Sequence, residues 1–185
     1  MKNMTDEAKR KKKEILEICL QEFLVNGLEK TSVRDLCKVI GINGSTLYYY
    51  FDSKDNVIIE CIKHEIEVID TIIQSAVKSK LPTVTDFLKR IFEEFTKIGG
   101  GIRFIAQVFA SPNHFKSCRS EVAALHKRYD NYAKQICDYY NISFEMFRPM
   151  FYIYLTIIYD YLIKGDEEYF KMQTDAVFEG VEKMF

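Results

Sequence analysis

Between Thr31 and Val57 the chain reads TSVRDLCKVIGINGSTLYYYFDSKDNV, and few folds accommodate such a stretch. Ser32 is a good helix N-cap, and Asp35, three residues on, can return a hydrogen bond to it. Val33, Leu36, Cys37 and Ile40 then recur at helical spacing, which predicts a short amphipathic helix. Gly41 ends it, because glycine adopts a left-handed conformation without a Cβ clash. Ile42 packs under the turn, and Asn43 caps a second helix over Gly44 to Tyr50. Only Leu47 and Phe51, at i and i+4, read as core positions there. Gly44, Ser45 and Thr46 come first, small or hydroxylic, and three tyrosines follow. So narrow an apolar seam behind such short side chains lets a helix approach a grooved surface closely. Helix, glycine turn and second helix is the arrangement whose second helix enters the DNA major groove N-terminus first. Ser53 caps a further helix and Lys54 opens it. A lysine there opposes the helix dipole, but together with the helix N-terminus it makes a phosphate site.

This stretch resembles the signature of TetR-type (tetracycline-repressor-like) transcriptional regulators. The resemblance is carried by Thr31, the Leu36/Ile40 face, Gly41-Ile42, Thr46-Leu47-Tyr48, Tyr50-Phe51, and Ser53-Lys54 before an apolar Val57, about a quarter of the chain in all. Asn43 stands where the family usually has serine, and Ser45 where glycine, alanine or proline is common; these departures bear on the operator sequence, not on the motif. The resemblance implies phosphate contacts from Thr31 and Ser32, simple capping being an equal reading for Ser32, with Arg34 a weaker phosphate candidate. It implies that Asn43, Gly44, Ser45 and Thr46 face base edges. Tyr48 and Tyr49 would reach phosphates, Tyr48 also a thymine methyl, and Lys54 would hold a phosphate.

The implied fold is all-α, with about nine helices. Residues 1–54 would form a three-helix helix-turn-helix DNA-binding domain, and 55–185 a helical effector-binding and dimerisation domain. The implied partners are double-stranded operator DNA, a second copy of the chain through the last two helices, and a small-molecule effector. The implied function is a homodimeric repressor on a palindromic operator, relieved by its ligand. An activator, or a regulator controlled by a protein partner, stays open.

The rest of the chain supplies helical periodicity and little else. Net charge is −1, so DNA binding must rest on local charge. The opening Met1 to Lys13 is basic, and the helix behind it buries Ile15, Ile18, Cys19 and Phe23 and closes at Gly27. The fourth helix runs to about Ser79, a natural lever between the two domains. Pro82 marks a break, and a helix follows from Thr83 to Ile98. Gly99-Gly100-Gly101 reads as a hinge or helix break before a short helix over Ile102 to Ala110. Ser111-Pro112 opens a helix to about Tyr140, and Pro149 suits the first turn of the next. Met150 to Ile163 is apolar nearly all round and must be covered on more than one side. Asp166 opens the last helix, whose apolar face ends at Met184.

Candidate effector contacts are the aromatic and polar residues Phe92, Phe95, Phe104, His126, Tyr129, Phe151 and Tyr154, although aromatic stripes at helical spacing are more often core than pocket. The five cysteines are odd in number and lack CxxC spacing, which predicts reduced, buried thiols. His114 and Cys118 lie at i and i+4, but no second helix offers an evident further ligand, so no metal and no cofactor are expected. No nucleophile–base pair or cofactor loop occurs at recognisable spacing, so the chain reads as a non-enzyme, a small helical enzyme being the rival. A charged N-terminus with no apolar run behind it predicts no signal peptide, and charges interrupt every apolar stretch, so neither membrane association nor export is expected and the cytoplasm is the expected location.

Overall fold

A computed structural model describes residues 5–183 of the chain, so Lys2 of the basic opening and Met184 lie outside the described residues. Among the described residues every regular element is an α-helix. In order they are α1 (Asp6–Asn26), α2 (Val33–Ile40), α3 (Gly44–Tyr50), α4 (Lys54–Lys78), α5 (Val84–Lys97), α6 (Gly99–Ala110), α7 (Pro112–Ser117), α8 (Arg119–Tyr140), α9 (Phe144–Lys164) and α10 (Glu167–Glu182). The tenth helix arises because Ser111 to Tyr140 is interrupted at Cys118, whose backbone N–H turns back to the carbonyls of His114 and Phe115.

The helix ends follow from local chemistry. Thr5, Asn43, Thr83 and Asp166 each accept a backbone hydrogen bond at their helix N-termini. Gly27, Gly41 and Gly165 close helices at positive φ. The chain forms two compact units, one of residues 1–67 and 103–121, the other of 68–102 and 122–185. In the first, Leu16, Cys19, Phe23, Leu36, Leu47, Phe51 and Val57 form a closed core. In the second, Phe87, Ile91, Phe95, Phe147, Phe151, Tyr154 and Ile158 are buried.

Three local expectations are corrected. Ile18 is 38% exposed, whereas Leu16 and Leu20, expected to widen the apolar stripe of α1, are buried beside Ile15, Cys19 and Phe23. The break at the triple glycine falls one residue earlier, at Ile98, and the glycines form the first turn of α6. Pro149 does not open a helix: α9 starts at Phe144, so the proline sits inside it. Its missing N–H leaves the Glu145 carbonyl without an intrahelical partner. The helix continues because Phe147 is buried and stacks on Phe151 at 5.6 Å, the two rings lying two residues on either side of the proline.

Candidate nucleic-acid interface

The interface begins with a reciprocal cap. The Ser32 hydroxyl accepts from the Asp35 N–H at 3.2 Å, while the Asp35 carboxylate accepts from the Ser32 N–H at 2.9 Å and from its hydroxyl at 2.6 Å. Those bonds hold the Asp35 carboxyl below its ordinary range. Ser32 is therefore fully engaged in capping α2, and a phosphate would meet it only by displacing that bond. At the other end, Gly41 (φ +75°) and Ile42 both donate to the Cys37 carbonyl, each at 3.0 Å. This turns the chain sharply into Asn43.

Asn43 organises the start of α3. Its Oδ1 accepts from the Thr46 N–H at 2.8 Å, the Thr46 hydroxyl at 2.9 Å and the Ser45 hydroxyl at 2.7 Å. With that oxygen committed to the cap, a base contact from Asn43 would come from its amide nitrogen. Behind this polar end, Leu47 is the buried residue of α3, and Phe51, buried after it, completes the seam. Tyr48 and Tyr49 are each 54% exposed. Tyr50 packs edge-on against Tyr49 at 5.0 Å. Ser53 caps α4 through the Asn56 N–H at 3.1 Å, and Asn56 returns a bond to the Asp52 N–H at 3.3 Å. Lys54 stands half-buried in the first turn of that helix. Arg34 and Lys38, one turn apart on α2, are exposed.

One expected contact does not survive. Thr31 is only 1% exposed, and its hydroxyl donates to the Gly27 carbonyl at 2.8 Å. It ties the end of α1 to the start of α2 and presents no hydroxyl to a phosphate. The basic opening is also partly neutralised within the protein. Lys9 pairs with Asp6 at 3.0 Å, Lys11 with Glu14 at 3.1 Å, and Lys12 bonds to Glu60. Asp6 and Glu7 in the first turn of α1 favour the helix dipole and offset the lysines that follow them.

The expected effector residues do not form one cluster. Phe104 belongs to the first compact unit and stacks on Phe23 at 5.9 Å. His126 is exposed, edge-on to Tyr152 at 6.2 Å. Tyr154 is buried and donates to the Leu88 carbonyl at 2.6 Å. Phe92 stacks on Phe170 at 4.3 Å. Phe95 stacks on Tyr159 at 6.5 Å, and the Tyr159 hydroxyl bonds to that of Tyr129. Burial pushes the Tyr159 hydroxyl up to about 12 and raises that of Tyr129 well above its ordinary value. Phe151 lies edge-on to Tyr129 at 6.4 Å. Sequence reading missed Tyr159 and a second polar group, in which Arg128 and the Tyr132 hydroxyl (2.7 Å) both bond to Asp70. The available signal was Asp70 itself, a carboxylate between Ile69 and Ile72 in α4.

All five cysteines are free thiols, four of them buried. Burial pushes Cys19 up to about 12 and Cys118 and Cys137 to about 11.

Two short capped helices about a glycine turn, fastened by Leu47 and Phe51 with the polar end of the second exposed, define a helix-turn-helix protein of all-α architecture. Residues 15–61 match the family model described as bacterial regulatory proteins, tetR family, about a quarter of the chain. A 50-residue match at 38% identity to the HTH-type transcriptional repressor KstR2 of Rhodococcus jostii (strain RHA1) spans 27% of this chain and 24% of the relative, about a quarter of its length. The fold is shared much further. A transcriptional regulator (TerR/AcrR family) from Aquifex aeolicus VF5 superposes with TM-score 0.70 at 18% identity, covering 95% of this chain and 99% of its own. A putative TetR-family regulator from Mesorhizobium loti MAFF303099 superposes with TM-score 0.73 at 14% identity, covering 96% and 97%.

Proposed function

We propose that the protein is a sequence-specific, double-stranded-DNA-binding transcriptional regulator in the cytoplasm, acting as a homodimer on a palindromic operator and relieved by a small molecule. One observation carries this reading: α3 is fastened through the buried Leu47 and Phe51, while its polar first turn and two half-exposed tyrosines face outward. Residues 1–54 would supply the DNA contacts, through Arg34, Asn43, Gly44, Ser45, Thr46, Tyr48, Tyr49 and Lys54, with Ser32 in reserve. Residues 55–185 would supply effector binding and dimerisation. The relative KstR2 is named a repressor, which supports that sign of regulation. Among the described residues no helix is long and apolar enough to cross a membrane.

For the dimer, α9 exposes Met146, Ile153 and Ile163, and α10 exposes Tyr169 and Met172. Bare apolar positions on two helices that pack on each other suit a four-helix bundle with a second copy. For the effector, the part-buried hydroxyl pair of Tyr129 and Tyr159, with Phe95 and Phe151 beside it, offers a polar group among aromatic rings. Ligand would act by population shift, binding better to the state whose recognition helices are wrongly spaced.

Selection from a random duplex pool tests the function. It should enrich a palindrome with half-sites one helical turn or a multiple apart. A protein that retains no duplex at low ionic strength would overturn the proposal. Within that experiment, Lys54→Ala should weaken binding to all sequences alike. It should also flatten the plot of log affinity against log salt by about 2, one phosphate per protomer at roughly 0.9 each. An unchanged slope would remove Lys54 from the interface.

A further inference from the structure

His114 is 7% exposed, yet its Nε2 is buried without a hydrogen-bond partner. The ring lies between two carboxylates from distant parts of the first unit. Glu29 Oε1 is 3.3 Å from Nε2, and Asp55 Oδ1 is 3.5 Å from Nδ1. Glu29 lies in the connection between α1 and α2, two residues before Thr31, and also accepts from the Ser111 hydroxyl at 3.1 Å. Asp55 follows Lys54 in the first turn of α4. One side chain from α7 thus reaches both flanks of the helix-turn-helix segment.

A neutral imidazole can donate to only one of these two carboxylates. A buried ring nitrogen with no aligned partner is destabilising. An imidazolium is attracted to both carboxylates, and Coulomb attraction tolerates the poor alignment. The surrounding charges agree. Glu29 and Asp55 face the ring directly, and Lys30 and Lys54 adjoin them in sequence. Cys118 of the α7–α8 junction, held as a thiol by burial, is influenced by Glu121, Asp55 and Lys63, and Lys63 is itself paired with Glu60 at 2.9 Å.

We propose that His114 is a positioning residue for DNA binding: in its cationic form it braces Glu29 and Asp55, and so sets the two ends of the segment that carries α2 and α3. This rests on the DNA-binding reading above. The Glu29 and Asp55 side chains are 66% and 61% exposed, so solvent screens both pairs and the effect is moderate.

The test measures affinity for the duplex that the wild-type protein selects, at pH 6 and pH 8, a range in which histidine changes charge. Binding should be about three- to tenfold tighter at pH 6 than the general trend, and His114→Gln should remove that excess. Glu29→Gln/Asp55→Asn should remove it too, although His114 is intact. His64 lies among Lys9, Lys12 and Lys13, away from Glu29 and Asp55, so His64→Gln is the histidine control and should keep the excess. The same pH ratio in wild type and His114→Gln, or its loss in His64→Gln instead, overturns the proposal. Amide exchange at pH 6 without DNA decides the brace separately. Residues 30–36 and 53–58 should exchange faster in His114→Gln than in wild type. Equal exchange overturns the brace, whereas altered exchange in a protein that selects no duplex overturns only the DNA-binding reading.

Discussion

Leu47→Ala is expected to lower stability by about 2–5 kcal/mol and to abolish selective duplex binding. Leu47 is 1% exposed and is the buried residue within α3. A seven-residue helix has no stability of its own in water, so its position depends on that one contact and on Phe51 behind it. The Asn43 cap would survive the change but cannot dock the helix. Small domains are stable by only about 5–15 kcal/mol, so the loss is a large fraction of the total. Tyr48→Ala is the control: at 54% exposure it should change stability by less than about 0.5 kcal/mol while still weakening DNA binding. Denaturant midpoints and mobility shifts on both variants separate docking from contact. A Leu47→Ala protein with wild-type midpoint and full duplex binding would show that α3 is held by something other than its apolar seam.

The second large effect concerns Glu65. This α4 residue is 8% exposed, and burial, with the charge of Glu17 adding to it, pushes its carboxyl from 4.5 to about 7. The folded state therefore favours the protonated form. Between the ordinary carboxyl value and about 7 the folded protein holds more protons than the unfolded one, so stability falls as pH rises through that window. Above it the penalty is constant, on the order of 3 kcal/mol. Glu65→Gln removes the charge and keeps the shape. It should raise stability by about that amount at pH 8 and hardly at all at pH 4.5. Thermal melts across this range check it, and an equal gain at both ends would assign the benefit to packing instead of charge.

Much of the interface was legible in order along the chain because its parts are local. The Ser32–Asp35 cap, the Gly41 turn, the Asn43 cap and the Leu47/Phe51 pair each depend on residues within four positions of one another. Ser53 capping α4 is of the same kind. What could not be read was which hydroxyls remain available. Thr31 and Ser32 look alike as phosphate ligands in the sequence, yet one is buried against the Gly27 carbonyl and the other closes a capping box. The same limit applied to the aromatic residues. Phe95 and Phe104 have similar periodic surroundings, but one stacks on Tyr159 and the other on Phe23, in different compact units.

The sequence by itself determined the all-helical class, the helix-turn-helix and the helix ends within it, because caps, glycine turns and apolar spacing act over three or four residues. Only the tertiary structure decided that α9 runs through Pro149, that Thr31 is structural, and that His114 lies between Glu29 and Asp55. These depend on which distant segments cover a given side chain. Burial against residues tens of positions away outweighs local propensity and has no local signature to read.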